Sequence, residues 1–208
     1  MAWWGRPERI RMDNGAPWGT QSQLPSALGL WLVGLDIDLI YGRPARCTDN
    51  AVVERSQGVL TQWVEPQQCT DRQDCQLRLA WAVKTQRERY RRGDGQTRRQ
   101  AYPGLYANLR GYDPQQDSRQ WFMDRVHHYL SRFRFRRKVE TNGHITFFAN
   151  NYGVGRAYAR QYIEIQLDDL TNQWVIRDEY GKEIRRHCPK ELTYEQISQL
   201  RLAKRRRN

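Results

Sequence analysis

The sequence predicts an α/β region followed by a small all-β barrel. Three observations carry this. Over residues 1–90, short alternating runs are interleaved with apolar residues at helical spacing. From residue 132 the hydrophobic period changes to two, and short strands succeed one another closely. A net charge of +12, from 35 Lys and Arg against 23 Asp and Glu, is that of a chain whose partner is a polyanion, most often nucleic acid.

The first element is the strand in ERIRM, residues 8–12, which runs into the turn-forming trio Asp13-Asn14-Gly15 and so leaves Asp13 at a strand end. After a polar loop with Pro17 and Gly19, Leu24, Leu28, Trp31, Leu32 and Leu35 recur at helical spacing and make an amphipathic helix. IDLIY at 37–41 reads as a second strand, closed by Gly42 and Pro44, with Arg43 and Arg46 flanking its exit. The next helix begins near Thr48 and Asp49, good N-cap residues, and carries Val52, Val53, Val59, Leu60 and Trp63 until Pro66. Asn50, Glu54 and Gln57 stand at i, i+4 and i+7 and share one face of it. A third helix fills 71–90, with Leu77, Trp81 and Val83 inward, and ends in the basic, glycine-containing loop RRGDGQTRRQ. Residues 91–125, rich in Pro, Gly and Tyr and without clear period, read as a linker between the 1–90 domain and the C-terminal strands.

RFRFRRKV at 132–139 alternates Arg with Phe, which turns Phe133 and Phe135 into a barrel and Arg132, Arg134 and Arg136 to the other face. TNGH at 141–144 contains the Asn-Gly hairpin signal, and HITFF, QYIEIQL, QWVIRD and KEIRRH come next as short strands. Residues 126–190 therefore read as the small β-barrel. Residues 191–208 open on a Thr193 cap and form a short helix with a basic tail. His127 and His128 sit in a half-buried element, and Gly153 and Gly155 read as barrel corners. The two glycines lack the third glycine and the helix of a phosphate-binding loop.

Several classes are set aside. The longest apolar run, SALGLWLVGL at 26–35, is far below the roughly 20 residues of a membrane span, and the first residues lack a secretory signal. The expectation is a soluble, cytoplasmic protein with neither a membrane nor a small-molecule partner. Cys47, Cys69, Cys75 and Cys188 are scattered, so reduced structural thiols are favoured over a zinc site from Cys69, Cys75, His127 and His128.

Asp13 and Glu54, 41 positions apart, are the candidate chemistry. A strand-end carboxylate and a helix-borne carboxylate supply the oxygen ligands that Mg²⁺ prefers while it keeps waters for a substrate phosphate. Taken singly, Asp-Asn-Gly is an ordinary turn and Glu54 an ordinary solvated charge.

The order of these elements resembles the second half of the catalytic domain of D,D-E transposases and retroviral-type integrases. In that family the middle acid precedes Asn-Gly after a strand, as in MDNG with Asp13, and the last acid lies on a helix, as in DNAVVERSQGVL with Glu54. The segment between the acids is somewhat longer than is common in the family. Downstream, RKVETNGHITFFANNYGVGRAY and QWVIRDEYGKEIRR resemble the small β-barrel of many insertion-sequence transposases and of the bacteriophage Mu transposase. The resemblance implies a partial ribonuclease H-like fold over residues 1–90, with Asp13 and Glu54 as catalytic, metal-binding residues. It implies Mg²⁺ or Mn²⁺ as cofactor once the site is completed by the family's first Asp, which stands upstream of the helix that AWWGRPERI ends. The expected partners are transposon ends and target DNA, and the missing N-terminal half or a full-length transposase. A chain with two of three acids is expected not to join strands alone, and a sheet without its central strands exposes unpaired edges. The alternative is a non-catalytic DNA-binding or regulatory module derived from a transposase; a ribosome-associated RNA-binding protein stands further off.

The resemblance turns the Asn50, Glu54 and Gln57 face toward DNA, although a capped helix with a polar stripe shows the same spacing. Arg43 and Arg46, on the loop before it, are candidate phosphate contacts. The row Arg132, Arg134 and Arg136 either tracks phosphates or is a solvated, aggregation-resistant edge.

Overall fold

The computed structural model describes residues 1, 5–13, 15, 25–43, 47–107 and 110–198. In chain order these form β1 (Arg9–Met12), α1 (Ala27–Gly34), β2 (Asp38–Tyr41), α2 (Ala51–Val64), α3 (Arg72–Glu88), α4 (Arg98–Ala101), α5 (Asp117–Gln120) and α6 (Met123–Ser131). The C-terminal elements are β3 (Arg134–Lys138), β4 (His144–Phe147), β5 (Asn150–Gly153), β6 (Tyr162–Asp168), β7 (Gln173–Arg177), β8 (Glu183–His187) and α7 (Tyr194–Ser198). The chain is thus mixed α/β. It forms two compact units: Met1–Pro7 with Gly42–Pro114, and Glu8–Tyr41 with the residues from Gln115 onward. The second unit therefore joins the first strands of the sequence to its C-terminal strands.

In the second unit β1 and β2 pair in parallel, from Arg9 opposite Asp38 to Met12 opposite Tyr41. Parallel neighbours need a crossover, and α1 lies within it. Ser26 starts α1, its hydroxyl accepting from the Gly29 N–H at 3.1 Å. The other end is closed from outside the helix: the Gly34 carbonyl accepts from the Phe122 N–H and from the Arg125 guanidinium, each at 3.0 Å. Trp121 lies so close that a Cβ on Gly34 would fall 2.0 Å from its indole nitrogen, which is why this helix ends in glycine. Leu30, Leu32 and Val33 are buried. Among the described residues, neither β1 nor β2 has a further strand neighbour.

The C-terminal strands form an antiparallel sheet in the order β3-β6-β7-β8, with β4 and β5 as a separate hairpin. This corrects the expected barrel: among the described residues β3 and β8 remain edges, so no hydrogen-bonded ring closes. The Asn-Gly turn forms, with the Gly143 N–H donating to the Glu140 carbonyl at 3.0 Å. It does not make the expected ladder, because β3 pairs with β6 and β4 with β5. The β4–β5 turn is made by Phe148 and Ala149, both at positive φ, a conformation the absence of glycine hides from the sequence. Phe135, Phe147, Tyr152 and Trp174 are buried and pack edge to face in the core. Phe133, expected inside beside Phe135, is partly exposed because the strand starts only at Arg134.

In the first unit α2 and α3 pack together, joined by Glu65 in a left-handed conformation and a short turn from Pro66. The Ser56 hydroxyl donates to Gln86 across the pair at 3.2 Å. Asp71 caps α3, accepting from the Asp74 N–H at 2.8 Å. The expected inward face of α3 is corrected: Ala82 and Gln86 are buried, while Leu77 and Trp81 are 66% and 57% exposed. Val52 and Val53 of α2 are likewise exposed. Residues 91–101 are ordered by an Arg91–Thr97 β-bridge and by a capping box in which the Thr97 hydroxyl and the Gln100 side chain each accept from the other's N–H.

Candidate functional site

Asp13 comes directly after β1 and lies at the carboxyl end of a parallel pair, the end where open α/β sheets bind ligands. Its side chain is exposed and leans toward Gly15, with Oδ2 3.1 Å from where a Gly15 Cβ would stand. Asn14 lies outside the described residues.

Glu54 is exposed in the first turn of α2. A carboxylate there is favoured by the helix dipole and by the N–H groups left without intrahelical partners. The start of this helix differs from the expectation: Cys47–Asn50 forms a 3-10 turn, α2 begins at Ala51, and Asn50 makes no side-chain capping bond. With 100° between successive residues, Glu54 and Gln57 fall within one face of α2, while Asn50 stands just before the helix. That stripe lies beside the α3-facing side rather than in it, and Glu54 and Gln57 are exposed. Asp13 belongs to the second unit and Glu54 to the first.

Arg43 is exposed, two residues beyond β2; Arg46 lies outside the described residues. The expected arginine row is rearranged. Arg132 is not in the strand but at the C-terminal cap of α6, beside an open pocket of about 310 Å³ bordered by Asp36, Asp38, Asp124 and Tyr129. Burial, reinforced by nearby Tyr41, pushes the Tyr129 hydroxyl up to about 12, so it stays protonated at neutral pH.

On the exposed face of β3 the row is Arg134, Arg136 and Lys138. Arg134 is 3.5 Å from Glu164, whereas the Arg136 guanidinium lies 4.3 Å from the Tyr162 ring centroid with Lys138 at 6.0 Å from the same ring. An arginine held over a tyrosine ring keeps its charge. Lys138 is the member that the Arg-Phe alternation does not reveal, because the alternation begins at Arg132 and breaks at Arg137.

Farther along the sheet Arg186 contacts Asp168 at 2.7 Å and Glu183 at 2.8 Å. Hydrogen bonds from Arg186, then from Thr171, hold the Asp168 carboxyl down at about 2. This cation is therefore neutralised internally and is a poor phosphate contact.

Of the residues of the zinc reading, Cys69 and Cys75 are free thiols that lie within hydrogen-bond reach of each other. His128 Nδ1 lies 3.2 Å from Asp169, and His127 is buried, which lowers its pKa. Among the described residues no three His, Cys, Asp or Glu side chains form a metal-binding group, and no helix is long and apolar enough to cross a membrane. The chain matches no protein-family model.

Proposed function

We propose that the chain is a DNA-binding component of the transposase and integrase class. In this reading a partial ribonuclease H-like core carries Asp13 and Glu54, and the C-terminal β module contacts DNA or a partner polypeptide. The observation that supports it most is an order of elements: a strand ending at Asp13, a crossover helix, a parallel strand, then a helix with Glu54 in its first turn. β1 and β2 pair in parallel, the less common arrangement for two strands.

The donor set suits a hard cation. Magnesium is usually held by one or two carboxylates, keeps several waters and takes substrate phosphate as a further ligand, and both acids are solvent-accessible oxygen donors. When bound, Mg²⁺ or Mn²⁺ supplies charge stabilisation at a phosphodiester. Asp13 and Glu54 would each offer it a carboxylate, Asn50 and Gln57 would bind the strand along the Glu54 face, and Arg43 and Arg46 would take phosphates. The family's site has a third carboxylate; the present residues account for two. Arg136 and Lys138 extend the contact on the β module, with Arg134 partly neutralised by Glu164. Arg132 faces acidic neighbours and contributes less.

Duplex binding by fluorescence anisotropy tests this reading. Affinity is expected to fall steeply with salt, by roughly 10³–10⁵ between 50 and 200 mM if six to ten phosphates are neutralised. Replacing Arg136 and Lys138 with Ala should reduce the slope of log K on log salt by about 0.9 per lost contact. Salt-independent binding, or none, contradicts it.

A further inference from the structure

The first unit carries a feature that neither carboxylate uses. Trp63 of α2 is half-buried and sits between two exposed rings: its centroid is 6.3 Å from that of Trp81 and 5.9 Å from that of Tyr90. Trp81 is 57% and Tyr90 54% exposed. Tyr90 is held at the end of α3 by its N–H, which donates to the Thr85 carbonyl at 2.9 Å. The rings are thus fixed from beneath and open from above.

The surroundings are strongly basic. Residues 84–99 contain seven Lys and Arg against two acids, Glu88 and Asp94. Both acids are engaged, Glu88 with Arg99 at 3.0 Å and Asp94 with Arg92 at 3.4 Å. Lys84 lies one turn beyond Trp81 on the same face, and Arg89 immediately precedes Tyr90; both are exposed and neither has a carboxylate partner among the described residues. The turn after Tyr90 is built rather than loose. The Arg92 N–H donates to the Gln96 carbonyl at 2.8 Å, the Arg91 guanidinium to the Gly95 carbonyl at 3.1 Å, and Arg92 lies 5.0 Å from the Tyr102 centroid.

We propose that Trp81 and Tyr90, with Lys84 and Arg89, form a binding site for an unpaired DNA strand, the rings stacking bases and the cations taking the adjoining phosphates. Exposed aromatic rings interleaved with cations are how sequence-tolerant single-strand sites work, since every base offers a π-face and every phosphate a charge. In duplex DNA the base faces are already stacked on one another and cannot reach the rings. Charge complementarity selects a polyanion over an apolar protein surface; the choice of DNA over RNA rests on the function proposed above.

The test is anisotropy of the full chain with a labelled 20-nucleotide oligothymidylate, an oligouridylate and a duplex. Trp81→Leu with Tyr90→Leu should weaken oligothymidylate binding by about 10- to 100-fold and leave duplex binding unchanged, while Trp81→Phe with Tyr90→Phe restores it. Lys84→Ala and Arg89→Ala should each lower the salt slope by about 0.7. Equal binding by the Leu variant, preference for oligouridylate, an equal loss on duplex, or a dimer abolished by the Leu substitutions would each overturn the proposal. Asp13→Ala and Glu54→Ala should leave oligothymidylate binding intact, so failure at those acids and failure at this surface are read separately.

Discussion

Glu191 accepts from three side chains: the Tyr152 hydroxyl at 2.6 Å, the Trp174 indole N–H at 2.8 Å and the Asn150 amide at 3.2 Å. Trp174 is buried, so removing its acceptor strands an indole N–H without water. Glu191→Ala should cost about 2–3 kcal/mol in urea unfolding, and Glu191→Gln, which keeps an acceptor, clearly less. A second residue-level effect is set by pH. The Asp168 carboxyl is depressed to about 2 by Arg186, so its contribution is complete above the unfolded value of about 3.9 and lost as pH falls through the folded value. Arg186→Gln should therefore lower the melting temperature at pH 6 by clearly more than at pH 2, and added salt should shrink the difference because the pair is partly solvated.

The docking of α1 depends on one missing methyl group. Gly34→Ala would drive Trp121 away, break the 3.0 Å bond from its indole N–H to the Trp31 carbonyl, and cost about 1–3 kcal/mol by overpacking. A change in unfolding free energy of under about a tenth of that would contradict the described packing. The elements themselves are largely legible in the sequence: β1, α1, β2, α2, α3 and all the C-terminal strands but β5 come from period and punctuation. Which face of α3 turns inward is not. Leu77 and Trp81 make one stripe, and Cys75, Leu79, Ala82 and Gln86 make another on the opposite side. Period alone ranks the more apolar stripe inward, whereas the buried one contains a glutamine bonded to Ser56. The β4–β5 turn is equally hidden, because Phe148 and Ala149 give no turn signal.

Contacts group the chain in a way that sequence distance does not suggest: the first strands, including Asp13, cluster with the C-terminal sheet, and Glu54 with α3. The resemblance, rather than spacing, points to both acids, and both are exposed. Long-range grouping has no period from which it can be read. The proposal carried by the whole chain is that the carboxylates of Asp13 and Glu54 are ion ligands. It is tested most directly by titrating Mn²⁺ into the full chain with duplex DNA present, following free Mn²⁺ by electron paramagnetic resonance. The proposal requires that Asp13→Asn and Glu54→Gln each weaken Mn²⁺ binding by about tenfold or more. Mn²⁺ binding that survives either substitution unchanged would contradict the account.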